Sequence, residues 1–392
     1  MEIAFPMQLG RHFPASMTLE LAKALRETGL IDYLHGWDQL GGWWPSGLWS
    51  PEFTPMAEVS PDASSFPNWV SMLSAAVAAA PGSGTAMAMD SIRRGPADTW
   101  QMMLTMANLT EGKAQFHMGA GEIQNTKPFG WKRTTGFKRY EDLFRIFKLF
   151  WESDEPIDFE GNIWKLDRAE IGFAKPFKPQ IWGLGGGPKI IDVATSYGDG
   201  FGTLCPQVAH SPERVNEMVS TFREQLERKG RDPDQFTFGI YVSMALHEDD
   251  DVIDAGLDNP LLRWMTATIG RVTMSDWDQV GIEPPFPRDW HYSMDLVPLH
   301  VSKEEALEIA SRVTPEMTDR AFFRGTPTKV AADLQAYIDA GASWISIIDL
   351  LPSVLDPAEG EKAMGRTLEL AALLKGANGG ATTPDAEEAA TA

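Results

Sequence analysis

The chain has 392 residues, 43% hydrophobic and 23% charged, and carries a formal net charge of −21. That is enough apolar mass for one large core, and too much negative charge for broad binding to nucleic acid or anionic membranes, which needs a long-range positive field. The single cysteine, Cys205, excludes an internal disulfide and a cysteine-based metal cluster, as expected in a reducing compartment.

In chain order, residues 2–7 read as a first strand and 16–28 as a helix with an N-cap serine and Gly29 at its stop. Residues 31–36 form a second strand, 37–60 a Trp/Gly/Pro-rich loop and 68–80 a helix. A third strand spans 84–90, a helix opens at Pro96, and a fourth strand covers 113–119. The helix over 137–151 places Tyr140, Leu143, Phe144, Phe147, Phe150 and Trp151 on one face, a stripe made for packing on a sheet. Between 152 and 179 a β-hairpin insertion is expected, turning at Glu160-Gly161-Asn162. Strands follow at 180–183, 200–203, 235–246 and 343–349, with helices at 189–197, from Ser211-Pro212 to Gly230, from Thr326-Pro327 to Gly341, and from Asp356 onward. Residues 247–325 read as irregular with helical pieces at 260–269 and 303–313, and 376–392 as a disordered tail. Eight strands, mostly followed by helices, predict one (β/α)8 barrel over residues 1–375 with insertions near 37–60, 152–179 and 247–325.

In such a barrel the ligand-binding residues sit at the C-terminal ends of the strands. The fourth strand runs through Gly119 and Gly121 into Glu122 and Asn125, and 123–140 then carries Lys127, Lys132, Arg133, Lys138 and Arg139 without one acid. A basic run on so acidic a chain points to an anionic ligand at that rim. The run Gly185-Gly186-Gly187-Pro188-Lys189 opens a helix and can cradle a phosphate, although it matches neither a nucleotide-hydrolase phosphate loop nor a dinucleotide fingerprint. The seven histidines are scattered without metal-ligand spacing, His117 reads as core, and there is no GxSxG nucleophile elbow. Fourteen tryptophans and eighteen methionines exceed the needs of a core, so some are expected to line an apolar substrate cleft. The 37–44 loop and the insertion around Trp264 to Trp290, both aromatic-rich, are expected to form its wall.

GAGE-xx-N, GGGPK, SYGDGFGT and RGTPTKVAADLQAYIDAGA, in this order, resemble the luciferase-like flavin and deazaflavin oxidoreductase superfamily. MDSIRRGPADTWQ is similar to a stretch of its coenzyme F420-using phthiodiolone dimycocerosates ketoreductase group, and the likeness runs to about residue 375. The resemblance implies a deazaflavin across the barrel mouth, exchanging a hydride at its C5 with the carbonyl or alcohol carbon of a fairly apolar small molecule. FMN is the alternative cofactor, as in a monooxygenase using reduced FMN, and a catalytically idle flavin-binding protein is a further one. A homodimer with no nucleic-acid partner and no integral membrane segment is also implied. The residues so assigned to the cofactor are Asp38, Ala86, Met87, Asp90, Gly119, Gly121, Glu122, Asn125, Gly185, Gly186, Gly187, Pro188, Lys189 and Thr203, with a non-prolyl cis peptide at Ala86-Met87. Gln8, Trp43, Trp44 and Trp290 fall to the substrate, and Glu122, Asp38 and Gln39 to catalysis. The deazaflavin tail, longer and more anionic than that of FMN, would engage Arg93, Arg94, Lys127, Lys132, Arg133 and Lys189. The related sugar-phosphate dehydrogenases have Asp-His where this chain has Asp38-Gln39, and glutamine cannot transfer a proton at neutral pH. The general acid or base is then Glu122, Asp38, Asp90 or a histidine such as His117, with Glu122 favoured. No apolar run approaches the roughly 20 residues of a bilayer span, and the opening MEIAFPMQLG puts no cationic region before an apolar one, so a cytoplasmic protein is expected.

Overall fold

A computed structural model describes residues 1–7, 12–60, 62–64, 66–171 and 175–378. Eight parallel strands close into a barrel: β1 (Glu2–Pro6), β2 (Tyr33–Trp37), β3 (Gly84–Asp90), β4 (Ala114–Gly119), β5 (Gln180–Leu184), β6 (Gly200–Cys205), β7 (Thr237–Leu246) and β8 (Trp344–Asp349). Each pairs with the next, and β8 returns to β1 with Glu2 opposite Trp344. The outer ring is α1 (Ala15–Thr28), α2 (Trp69–Ala79), α3 (Pro96–Leu109), α4 (Gly136–Glu152), α5 (Pro188–Tyr197), α6 (Pro212–Arg228), α7 (Pro327–Asp339) and α8 (Pro357–Asn378).

Alternation along the strands divides the apolar residues into two bodies. One side, with Met87, Phe116 and Ile345, packs against the helices. There α4 buries Tyr140, Leu143, Phe144, Phe147 and Phe150, and Trp100 of α3 stacks on Phe147 at 5.7 Å. Each such side chain is worth roughly 1.5–3 kcal/mol of burial. The other side fills the barrel and continues upward into the insertion between β7 and α7. In the barrel, His117 stacks on Trp182 at 4.3 Å, bonds Gln115 Oε1 at 3.3 Å and meets the Tyr241 hydroxyl, and His35 Nδ1 bonds Ser346 Oγ at 2.9 Å. Both histidines are fully buried, and that burial holds them neutral, pushing His35 down to about 3 and His117 well below the usual histidine range. His117 is core, as its strand position suggested.

The structure corrects several expectations. The first helix begins at Ala15 behind Pro14, with no side-chain cap. Helix α8 continues to Asn378, past the start of the expected tail, and 379–392 lie outside the described residues. Residues 247–325 are more helical than they read, with Asp250–Leu257, Pro260–Ile269, Tyr292–Asp295, Lys303–Ser311 and Pro315–Asp319, several too short to show periodicity. A short strand, Phe323–Gly325, extends the sheet beside β7. The cis peptide expected at Ala86-Met87 is absent; the cis bond among the described residues is Cys205-Pro206. Ala86 and Met87 sit mid-strand, in register with His35 and Gly36 on one side and Gln115 and Phe116 on the other, where an intact ladder requires trans geometry.

Candidate active site

The C-terminal ends of β2, β3 and β4 converge on a buried charge network. Asp38 follows β2, and its backbone N–H donates to Ala88 O at 2.8 Å. Asp90 ends β3, and its Oδ1 accepts the N–H groups of Ile92 at 2.7 Å and Arg93 at 2.9 Å. Arg93 bridges the two acids, pairing with Asp90 and with Asp38 Oδ2 at 2.7 Å, while Arg94 grips Asp38 from the other side. These arginines were expected to reach toward an anionic tail. They are instead spent inside the rim, because two strand-end carboxylates one strand apart compete for them at short range.

Glu122 lies just past β4, behind a turn whose positive φ favours glycine. Gly121 adopts φ +90°, and a Cβ there would stand 2.6 Å from Ile92 Cδ1. Gln124 Nε2 and Asn125 Nδ2 both donate to Glu122 Oε2, at 3.1 and 3.0 Å. Asn125 Oδ1 in turn accepts the N–H groups of Leu40 at 2.9 Å and Gly41 at 3.1 Å, so one amide ties the acid to the loop after β2. Although partly accessible, the Glu122 carboxyl is crowded by protein. Burial pushes it up to about 7, against the hydrogen bonds from Gln124 and Asn125 and the Arg133 guanidinium, and with Asp90 adding to the rise. Nearby, the Gln39 amide oxygen is buried without a hydrogen-bond partner.

Tyr292 and Arg133 complete the surroundings of Glu122. The Tyr292 ring lies 5.2 Å from that of Trp43, and burial together with the Glu122 charge raises its phenol above the usual range. Arg133 is half-buried, bonds Ser293 Oγ at 3.5 Å and is pulled down by burial, with Glu122 opposing. It therefore belongs beside the carboxyl and not to an outer cationic rim. Tyr292 was not foreseen; it sits on a one-turn helix within a stretch that carries no pattern.

Next to β4, past the end of β5, Gly185 takes φ +149° and its carbonyl accepts the Thr203 hydroxyl at 2.6 Å. Gly187 caps the ten-residue α5, Pro188 opens it, and a Cβ at Gly187 would meet nothing within 4 Å, while one at Gly186 would press Val208 at 2.8 Å. Pro188 has no N–H, and the N–H groups of Ile190 and Ile191 donate to Gly187 O at 3.1 Å, so the Lys189 N–H is the group this helix start offers an anion, with the exposed Lys189 side chain beside it. Thr203 is fully buried and shapes the loop from behind. Gly119 ends β4 at the rim, Ala86 is buried in the barrel, and Met87 faces the helices.

Of the residues expected to meet substrate, Trp290 stacks on Phe286 at 3.9 Å in the wall of a cavity of about 350 Å³. Trp43 touches Tyr292, and its carbonyl accepts the Trp264 indole N–H at 2.7 Å. Trp44 is buried against Trp49 and bonds Leu261 O at 3.3 Å, so it holds the two insertions together. Gln8 lies outside the described residues. Among the described residues no cluster of His, Cys, Asp and Glu could hold a metal, and no helix is long and apolar enough to cross a membrane.

Residues 47–343 match the family model described as luciferase-like monooxygenase. The chain belongs to that family. A relative in Mycobacterium kansasii, a phthiodiolone/phenolphthiodiolone dimycocerosates ketoreductase, is 26% identical over 291 residues, covering 73% of this chain and 77% of its own. The F420-dependent glucose-6-phosphate dehydrogenase of Kineococcus radiotolerans is 25% identical over 262 residues, 66% of this chain and 69% of its own. An F420-dependent secondary alcohol dehydrogenase solved with an F420-acetone adduct superposes with a TM-score of 0.71 at 17% identity, covering 95% of this chain and 98% of that one, and so shares the luciferase-like barrel.

Proposed function

We propose that this chain is a coenzyme F420-dependent oxidoreductase that interconverts a ketone and a secondary alcohol on an apolar small molecule. The observation that carries the reading is Glu122, a carboxyl with a pKa near 7 at the functional rim of the barrel. A relative and a structural neighbour named for F420-dependent reactions support the choice of cofactor.

The residues present fit the group. The open Gly187 position and the α5 N-terminus suit a phosphate, with Gly185, Gly186 and Lys189 beside them, and the orphaned Gln39 amide oxygen can accept a donor from a polar ring edge. Bound there, the deazaflavin would supply or accept the hydride. The chain's own task is then the proton. Half protonated near neutral pH, Glu122 can give a proton to a carbonyl oxygen in one direction and take it from an alcohol in the other. Gln124 and Asn125 fix Oε2, so transfer falls to Oε1. Asp38 has a structural part, since Arg93 and Arg94 both pair with it. Gln39 orients and does not titrate.

The test is absorbance titration of the purified protein with oxidised and reduced F420 and with FMN, followed by turnover of 2-alkanones with reduced F420. Micromolar or tighter F420 binding with ketone-dependent oxidation is expected. Tight FMN binding without detectable F420 binding at low salt would replace this reading with the monooxygenase one. Size-exclusion with light scattering examines the homodimer that accompanies the reading.

A further inference from the structure

We infer that the cavity beside Glu122 holds an unbranched alkyl arm of the substrate and limits its length; this rests on the ketone–alcohol reading above and names the substrate class. Ile123, the residue after Glu122, lines the cavity, so the acid and the cleft share one backbone step. From there the wall runs through Trp264, Phe286, Trp290, Leu296 and Ile309. Two tryptophans and a phenylalanine meet at this wall: Trp290 stacks on Phe286, Trp264 stands edge-on to Phe286 at 6.5 Å, and the Trp264 N–H is held from behind by the Trp43 carbonyl. A one-turn helix, Tyr292–Asp295, lends Met294 and Asp295 to the lining of the cleft and Tyr292 to the surroundings of Glu122, so one short element borders both. A ligand with its polar carbon at Glu122 therefore has its apolar continuation directed past Ile123.

The lining also limits what that continuation can be. Lys127, Asp295 and Glu305 all line the cavity, so its charged groups offer a terminal carboxylate no net attraction and a neutral chain suits it better. At the roughly 30 Å³ that a water-sized group occupies, a cavity of about 350 Å³ takes about 10–12 methylene-sized groups. Within that limit each buried methylene should improve binding about fourfold. Beyond it, added carbons meet solvent and gain nothing.

The experiment uses 2-alkanols and 2-alkanones from four to sixteen carbons. Binding of the alkanols to the cofactor-free protein is read by titration calorimetry, and kcat/KM of the alkanones with reduced F420. Both should climb about fourfold per carbon and level off at about twelve to fourteen carbons, the first two sitting at Glu122 and the remaining roughly 10–12 filling the cavity. Val301 also lines the cleft, and Val301→Trp, which narrows it, should move the break to shorter chains, read as the ratio of the ten-carbon to the four-carbon compound. A flat chain-length profile in the unmodified protein, or a break unmoved by V301W in a folded variant, overturns the assignment, as does tighter binding of aryl ketones than of alkyl ketones of equal atom count. A chain-length slope in calorimetry without F420 turnover would instead overturn the oxidoreductase reading and leave the alkyl site standing.

Discussion

Replacing Glu122 by glutamine should make the protein less active and, above neutral pH, more stable. The native carboxyl has its pKa raised from 4.5 to about 7, chiefly by burial. In the unfolded chain it ionises near 4.5; in the fold it holds its proton until about 7. Between these values the unfolded state is stabilised by losing a proton that the folded state keeps, so stability falls as pH rises through this window and stays reduced above it. At about 1.4 kcal/mol per pH unit, a shift of about 2.5 units amounts to roughly 3 kcal/mol, an upper value because the carboxyl is partly accessible. An unfolding entropy of about 2.1 cal/mol/K per residue makes this roughly 4 °C in Tm for a chain of 392 residues. Glu122→Gln removes the titration while keeping an oxygen for the Gln124 and Asn125 amides. Its Tm relative to the native protein should rise by up to about 4 °C between pH 5 and pH 8, read by scanning calorimetry in matched buffers. The same variant should lose about 10²-fold in kcat, and native ketone reduction should decline above pH about 7 as the acid is lost, while alcohol oxidation declines below it. A pH-independent Tm difference together with unchanged turnover would remove Glu122 both as a strained buried acid and as the proton carrier.

Acid should destabilise the barrel through His35, whose burial holds it neutral down to about pH 3; the unfolded chain takes up a proton below about 6.5 that the fold refuses, so stability drops as pH falls from there by up to about 4–5 kcal/mol. Urea midpoints at pH 7, 5.5 and 4.5 should fall steeply in the native protein and more shallowly in His35→Asn. Arg93→Met leaves Asp38 and Asp90 short of their shared cation and should cost about 3–5 kcal/mol, read as a lowered denaturant midpoint; a loss below 1 kcal/mol would mean the network is solvated. Gly121→Ala must accommodate φ +90° and a 2.6 Å approach to Ile92, so circular dichroism should show a lower Tm, and kcat should fall as Glu122 is displaced; a native-like variant on both counts would show that the turn tolerates a side chain.

The barrel was legible because strands and helices here follow local rules: period-2 apolar runs, Pro at helix starts, Gly at stops. Residues 84–90 and 260–269 fall on their elements end to end. Glu122 and Asn125 were legible for the same reason, since the end of a barrel strand is a position that sequence order alone identifies. Partnership was not. Nothing in the spacing of Arg93 and Arg94 reveals whether they face outward to a ligand or inward to Asp38 and Asp90, because the choice depends on which strand ends become neighbours. Tyr292 and the short helices of the insertion escaped for a related reason: one-turn elements are held by tertiary contacts, such as the stacking of Trp290 on Phe286, and leave no periodic trace.

The interior of the barrel has consequences for the order of events. His35, His117, Trp182, Tyr241 and Trp344 crowd its axis in ring-to-ring contact, with centroids 4.3 to 6.3 Å apart, and so plug the lower end. Everything that enters the mouth must leave through it. Were two ligands to lie one beneath the other in it, the deeper would have to arrive first and depart last, whatever their affinities. A substrate arriving early would then act as a cork, and crowding by it would slow the loading of the deeper ligand instead of speeding turnover.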